Sequence, residues 1–148
     1  MTDQANDVLG DDAFLDAFLD TLIPASDKMP GAGSLGLAEA IRKQIGSNPA
    51  FAAPVGAALA ALRDAALSRD PGGLPALSPD AREEVLAALM PQQPVLGMFQ
   101  VFVFTNYYQH PTALKGLGLP GRPPFPEGHA IEPTDASLLA KLAARRRS

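Results

Sequence analysis

The chain has 148 residues, a net charge of −4 and a pI near 5.0, with 47% hydrophobic residues, 19% charged residues and no cysteine. That length suits one domain closing its own core, and the absence of cysteine excludes disulfides, thiolate nucleophiles and iron–sulfur ligands. The only basic run is Arg145-Arg146-Arg147, so no face is available to neutralise phosphates and no nucleic-acid partner is expected.

Mean hydropathy of +0.05 is apolar for a small soluble domain and points to surface covered by a partner. The first ten residues carry neither a basic nor an apolar leader-like region and are expected to be a flexible N-terminus. No uninterrupted apolar run reaches membrane-spanning length; the longest candidate, around 95–108, is broken by Gln100, Thr105 and Asn106, so no transmembrane segment is expected.

Asp11 or Asp12 opens the first helix, where Phe14, Leu15, Phe18, Leu19, Leu22 and Ile23 recur at helical spacing. Asp12, Asp16 and Asp20 line the other side and read as a solvated acidic face. Pro24 ends the helix and begins a loop rich in Pro and Gly. Within it Gly31, Gly33 and Gly36 match G-x-G-x-x-G, and Ala32-Gly33-Ser34-Leu35-Gly36 falls one residue short of a nucleophile elbow. Either chemistry needs a strand beneath the glycines, and the preceding segment is an amphipathic helix. The glycines therefore read as tight turns and close packing.

A second helix spans about 34–45, with Leu37, Ala38, Ile41 and Ile45 inward and Arg42 and Lys43 outward. Asn48-Pro49 opens an alanine-rich third helix to about residue 68, with a buried stripe of Phe51, Val55, Leu59, Leu62, Ala66 and Leu67 expected. Pro71-Gly72-Gly73 and Pro75 form a linker. Ser78-Pro79-Asp80 caps a fourth helix that stops at Pro91. The fifth, about 94–109, is apolar nearly all round, which predicts a central helix packed on several sides. A last helix is expected over 136–146, with Leu138, Leu139 and Leu142 inward.

Six of the nine Phe and Tyr residues lie within 98–129, a run that turns at His110-Pro111 into a Pro/Gly-rich segment. Residues 111–133 have no hydrophobic period and are expected to be extended and stiff, a surface that loses little entropy on docking. His110 and His129 have no partner at a metal-ligand spacing, and His110 suits the negative end of the fifth helix. Of Tyr107 and Tyr108, one is expected in the core with its hydroxyl on backbone and the other at an interface. The fold class is all-α: a single compact helical domain of about six helices, with a long Pro/Gly-rich segment before the last.

Leu22-Ile23-Pro24-Ala25-Ser26-Asp27, then Pro30-Gly31-Ala32 and Leu35-Gly36-Leu37-Ala38, resembles the opening signature of the gluconate 2-dehydrogenase subunit 3 family. The stretch from Phe99 through Asn106-Tyr107-Tyr108 to Pro124-Phe125-Pro126-Glu127-Gly128 is similar to that family too. The resemblance implies a non-catalytic accessory subunit that binds and stabilises, or helps mature, a large FAD-dependent dehydrogenase subunit of the glucose-methanol-choline (GMC) type. Often a cytochrome c subunit then takes the electrons. No cofactor is expected on this chain, and FAD is expected in the partner.

Many family members carry an export signal. None is read here, so a cytoplasmic location is expected, or a periplasmic one if the chain is co-exported with its partner or is a trimmed mature form. The candidate partner contacts are Ile23, Pro24, Pro30, Tyr107, Tyr108, Pro124, Phe125 and Pro126, with Phe99 beside them and the loop 23–36 as a second surface. Two other readings stay open: a small free-standing enzyme using Tyr107, Tyr108, His110 or His129 as acid or base, and a self-associating helical protein without a catalytic partner.

Overall fold

Asp11 starts the first helix as expected: its carboxylate accepts the Phe14 N–H at 3.0 Å, one of the donors a helix start leaves unpaired. The computed structural model describes residues 8–121. Helix α1 (Asp12–Leu22) buries Phe14, Leu15, Ala17, Phe18 and Leu19. A 3-10 turn (Gly33–Leu35) leads into α2 (Leu37–Gly46), and α3 (Pro49–Leu67) follows with proline at its first position. Then come the short α4 (Gly73–Ala76), α5 (Pro79–Leu89), a second 3-10 turn (Met90–Gln92), α6 (Pro94–Gln109) and α7 (Pro111–Gly116). No strand occurs among the described residues, so the fold is all-α.

Several expectations need correcting. Residues 8–10 are helical, and Val8 and Leu9 are buried, so the N-terminal ten are not uniformly free; residues 1–7 lie outside the described residues. The second helix does not begin at Ser34, because Gly36 takes a left-handed backbone (φ +66°) and separates the 3-10 turn from α2. The linker after α3 contains α4, whose Leu74 is 1% exposed; one buried leucine anchors a helical turn too short to show a period.

Residues 111–116 are likewise helical rather than extended. Proline at the first position and the His110 ring as cap start α7, and Ala113 faces inward. The expected helix at 136–146, and the extended segment beyond 121, lie outside the described residues.

The largest correction concerns α6. It is not the centre of the bundle. Its inward residues Leu96, Phe99, Val103 and Tyr107 are buried, while Met98 and Val101 on the opposite side are 64% and 63% exposed. The better enclosed helix is α1, which packs against the first 3-10 turn, α2, α4 and α5. Phe18 of α1 stacks on Phe99 of α6 at 5.7 Å, and Phe99 continues to Phe102 and from there to Phe51 of α3.

The helix among the described residues with the length and apolarity to cross a membrane is α3, 19 residues with mean hydropathy 1.4, rather than the run at 95–108. Residues 49–62 of that helix carry no polar or charged side chain, and many of them are small alanines. A third of that window is buried, and Val55, Ala58, Leu59, Leu62 and Ala66 join the core, whereas Leu67, expected inward, lies at the last turn and is 45% exposed.

Candidate partner-binding surfaces

The signature loop is built onto α1 by a short set of hydrogen bonds. Ala32 N–H donates to the Ile23 carbonyl (3.0 Å), closing the loop at its base, and Ser26 N–H donates to the Met29 carbonyl (2.8 Å). Asp20 of α1 accepts the Gly33 N–H at 2.8 Å, a charge-assisted bond across thirteen residues. Gly33 has to be glycine here: a Cβ would sit within 3.0 Å of the Asp16 backbone, and one on Gly31 would run into the Asp20 carboxylate. The G-x-G-x-x-G spacing therefore records two close approaches to a helix and one left-handed turn. The Ser34 hydroxyl, the would-be nucleophile, donates to the Gly31 carbonyl at 2.8 Å.

The acidic side of α1 is correspondingly more than a solvated face. Asp12 pairs with Arg42 of α2, and Asp20 holds the loop. Asp16, between them, has its carboxyl raised above the ordinary range, first by burial and then by the Asp12 and Asp20 carboxylates, against the pull of Arg42.

Tyr107 joins the two regions that carry the family resemblance. Its side chain is fully buried, and its hydroxyl donates to the Pro30 carbonyl at 2.6 Å across seventy-seven residues. Burial, and then the neighbouring Tyr108, raise its phenol above the ordinary value. Tyr108 meets the Tyr107 ring edge-on at 5.1 Å and is 45% exposed. The tyrosine pair thus divides into a core member with its hydroxyl on backbone and an exposed one.

His110 sits between two helices: it follows α6, and its Nδ1 accepts the Thr112 N–H at 3.2 Å, so the ring caps the start of α7. Among the described residues no group of three His, Asp or Glu side chains is placed to hold a metal ion.

The candidate contacts separate accordingly. Ile23 (9% exposed), Tyr107 and Phe99 belong to the core and are withdrawn as contact residues, because an apolar run at helical spacing reads the same whether it faces inward or outward. Pro24 is exposed, and Pro30 is half-buried with its carbonyl taken. Pro124, Phe125 and Pro126 lie outside the described residues.

The sequence reading missed the outer side of α6. Met98, Val101, Thr105 and Tyr108 follow one another at helical spacing, and all four are exposed. Thr105 turns its hydroxyl back onto the Val101 carbonyl (2.9 Å), leaving its methyl for the surface. Phe104 flanks the stripe, edge-on to Tyr108. Not one of the sixteen residues of α6 is charged, which is the signal that would have found it: a solvated helix face ordinarily carries charge.

Among the described residues, fold and surfaces together define a helical protein whose polar motifs fasten its own loop and whose uncharged α6 carries an exposed apolar stripe. The family model described as Gluconate 2-dehydrogenase subunit 3 matches residues 10–118, which include both the loop and α6. The chain belongs to this family, and with it to the accessory subunits of a dehydrogenase complex. No curated protein and no solved structure matches it.

Proposed function

We propose that this chain binds a large FAD-dependent GMC-type dehydrogenase subunit through the outer face of α6 and stabilises that subunit's folded, FAD-loaded state. The observation that carries the reading is the exposed stripe Met98–Val101–Thr105–Tyr108 on a helix without charge. An uncharged apolar strip beside the half-buried Phe102 and Phe104 gains by leaving water and presents no ion that a partner must desolvate.

Binding the folded partner and not the unfolded one shifts the partner's folding equilibrium by mass action, without any group on this chain entering the chemistry. FAD, substrate and electron transfer, including any transfer to a cytochrome c subunit, then belong to the other subunits. The complex works in the cytoplasm, or in the periplasm where the two subunits are exported together.

The test is co-expression of this chain with the large subunit, wild type against Met98→Glu/Val101→Glu. Burying two unpartnered carboxylates in an apolar interface costs at least about 3 kcal/mol, a hundredfold or more in affinity. The free variant should melt within about 0.5 kcal/mol of wild type, since both positions face water. It should lose co-purification and lower the yield of soluble flavoprotein. A variant that still co-purifies overturns the use of this face, and a wild-type chain that neither co-purifies nor changes the yield overturns the function.

A further inference from the structure

The glycines of the signature loop have their reasons inside the chain: Gly31 and Gly33 lie against α1, and Gly36 takes a left-handed backbone. Gly97, the fourth residue of α6, has neither reason. Its backbone is helical and its φ is not positive, so any L residue fits the conformation. A Cβ there would meet no atom within 4 Å beyond its chain neighbours and the helix's own backbone. Glycine weakens a helix relative to alanine, because it has more backbone freedom to lose. Among the described residues nothing requires that loss, and the space above Gly97 stays open.

We infer that a large apolar side chain of the dehydrogenase's large subunit seats on the bare backbone at Gly97; the inference rests on the proposed use of α6 and gives that face its anchor point. The floor is framed by residues that are themselves exposed: Pro94 one turn before, Val101 one turn after, and Met98 alongside. A side chain that reaches the floor is flanked by this frame and shut off from water, the condition under which single residues dominate an interface.

The occupant has to be long, since the frame rises above the floor by the length of its own side chains. It has to be apolar, since α6 offers no charged residue to pair with an ion that has lost its water. Leucine, methionine and phenylalanine meet both conditions. The stripe through Val101 supplies area, and the opening at Gly97 supplies position: of the registers in which two apolar faces can slide over one another, it selects one.

Filling the floor should act on folding and on binding with opposite signs. In the free full-length chain Gly97→Ala should raise the melting temperature by about 2–4 °C, since the helix gains and nothing is displaced. In competition with the wild-type chain for the large subunit, the same variant should bind several-fold more weakly. Gly97→Leu should bind roughly tenfold to a hundredfold more weakly, as overpacking a fitted contact does. Ala57→Leu, which adds bulk to the exposed side of α3, is the control and should compete as wild type does.

Unchanged binding by Gly97→Leu, where Met98→Glu/Val101→Glu loses it, overturns this inference and leaves the proposed function standing. A wild-type chain that binds no large subunit removes both. A Gly97→Ala chain that melts lower than wild type also overturns the inference, because the space is then filled from within the chain. So does an Ala57→Leu chain that binds as weakly as Gly97→Leu, because the loss is then not local to α6.

Discussion

On the inner side of α6, Leu96, Phe99, Val103 and Tyr107 are at most 1% exposed; on the outer side, Met98 and Val101 are 64% and 63% exposed. The two stripes are drawn from the same kinds of residue, so composition and periodicity alone do not tell them apart. What separates them is the number of neighbours available. Helices α2, α3 and α7 and the turn at Met90–Gln92 cover one side of α6, and among the described residues nothing is left to cover the other. An apolar residue on the first side holds the bundle together, and one on the second is free to serve association.

Paired truncations sharpen that contrast most. Phe99→Ala removes a ring stacked between Phe18 and Phe102 and leaves a cavity at the junction of α1, α3 and α6, at a cost of about 3–5 kcal/mol. Val101→Ala, two residues away on the same helix, should fall within about 0.5 kcal/mol of wild type. Urea unfolding of the two variants reads both numbers. Similar losses for the pair would mean that the outer stripe is packed in solution, and the reading of α6 as an open face would go with it.

The next effect tests the loop against the helix face. The loop 23–36 is also a candidate contact surface, yet its Gly33 N–H and Pro30 carbonyl bond into the molecule, to Asp20 and Tyr107. Gly33→Ala puts a methyl against the Asp16 backbone, which has no soft end to move aside, and should destabilise by about 1–3 kcal/mol. If the loop's main work is internal, the variant melts lower but binds the large subunit with unchanged affinity once folded. Normal stability with lost association would reverse the assignment and make the loop the interface.

Much of this architecture was legible in the sequence because the signals were local. The Asp11 and Ser78 caps, proline at the starts of α3, α5 and α6, and the apolar stripes of α1 and α2 each depend on neighbours within a turn or two. The features that escaped depend on distant partners. Nothing near Asp20 announces that it will bind Gly33, and nothing near Tyr107 names Pro30. The helical turns α4 and α7 escaped for another reason, since four to six residues are too few to establish a hydrophobic period. The open side of α6 escaped because burial is decided by the whole set of helices, which periodicity along one of them does not count.

The smallest effect concerns Asp16, which separates the acidic side of α1 from a plain solvated surface. Burial and the flanking carboxylates raise its pKa in the folded chain, so the folded state holds this proton more tightly than the unfolded state does. Below the unfolded carboxyl value of about 3.9 both states are protonated and Asp16 costs nothing. As pH rises through that value and past the raised folded one, ionisation favours the unfolded chain, and the penalty is complete at neutral pH. Asp16→Asn removes the ionisation while keeping the shape and a similar helix propensity. It should therefore raise the melting temperature at pH 7, by less than about 1 kcal/mol in stability given its partial exposure, and the gain should shrink to nothing as pH falls below about 4. A gain of equal size at both ends would trace it to packing instead, and the carboxylates of α1 would then act separately, Asp12 on Arg42 and Asp20 on the loop, without the mutual repulsion that their spacing implies.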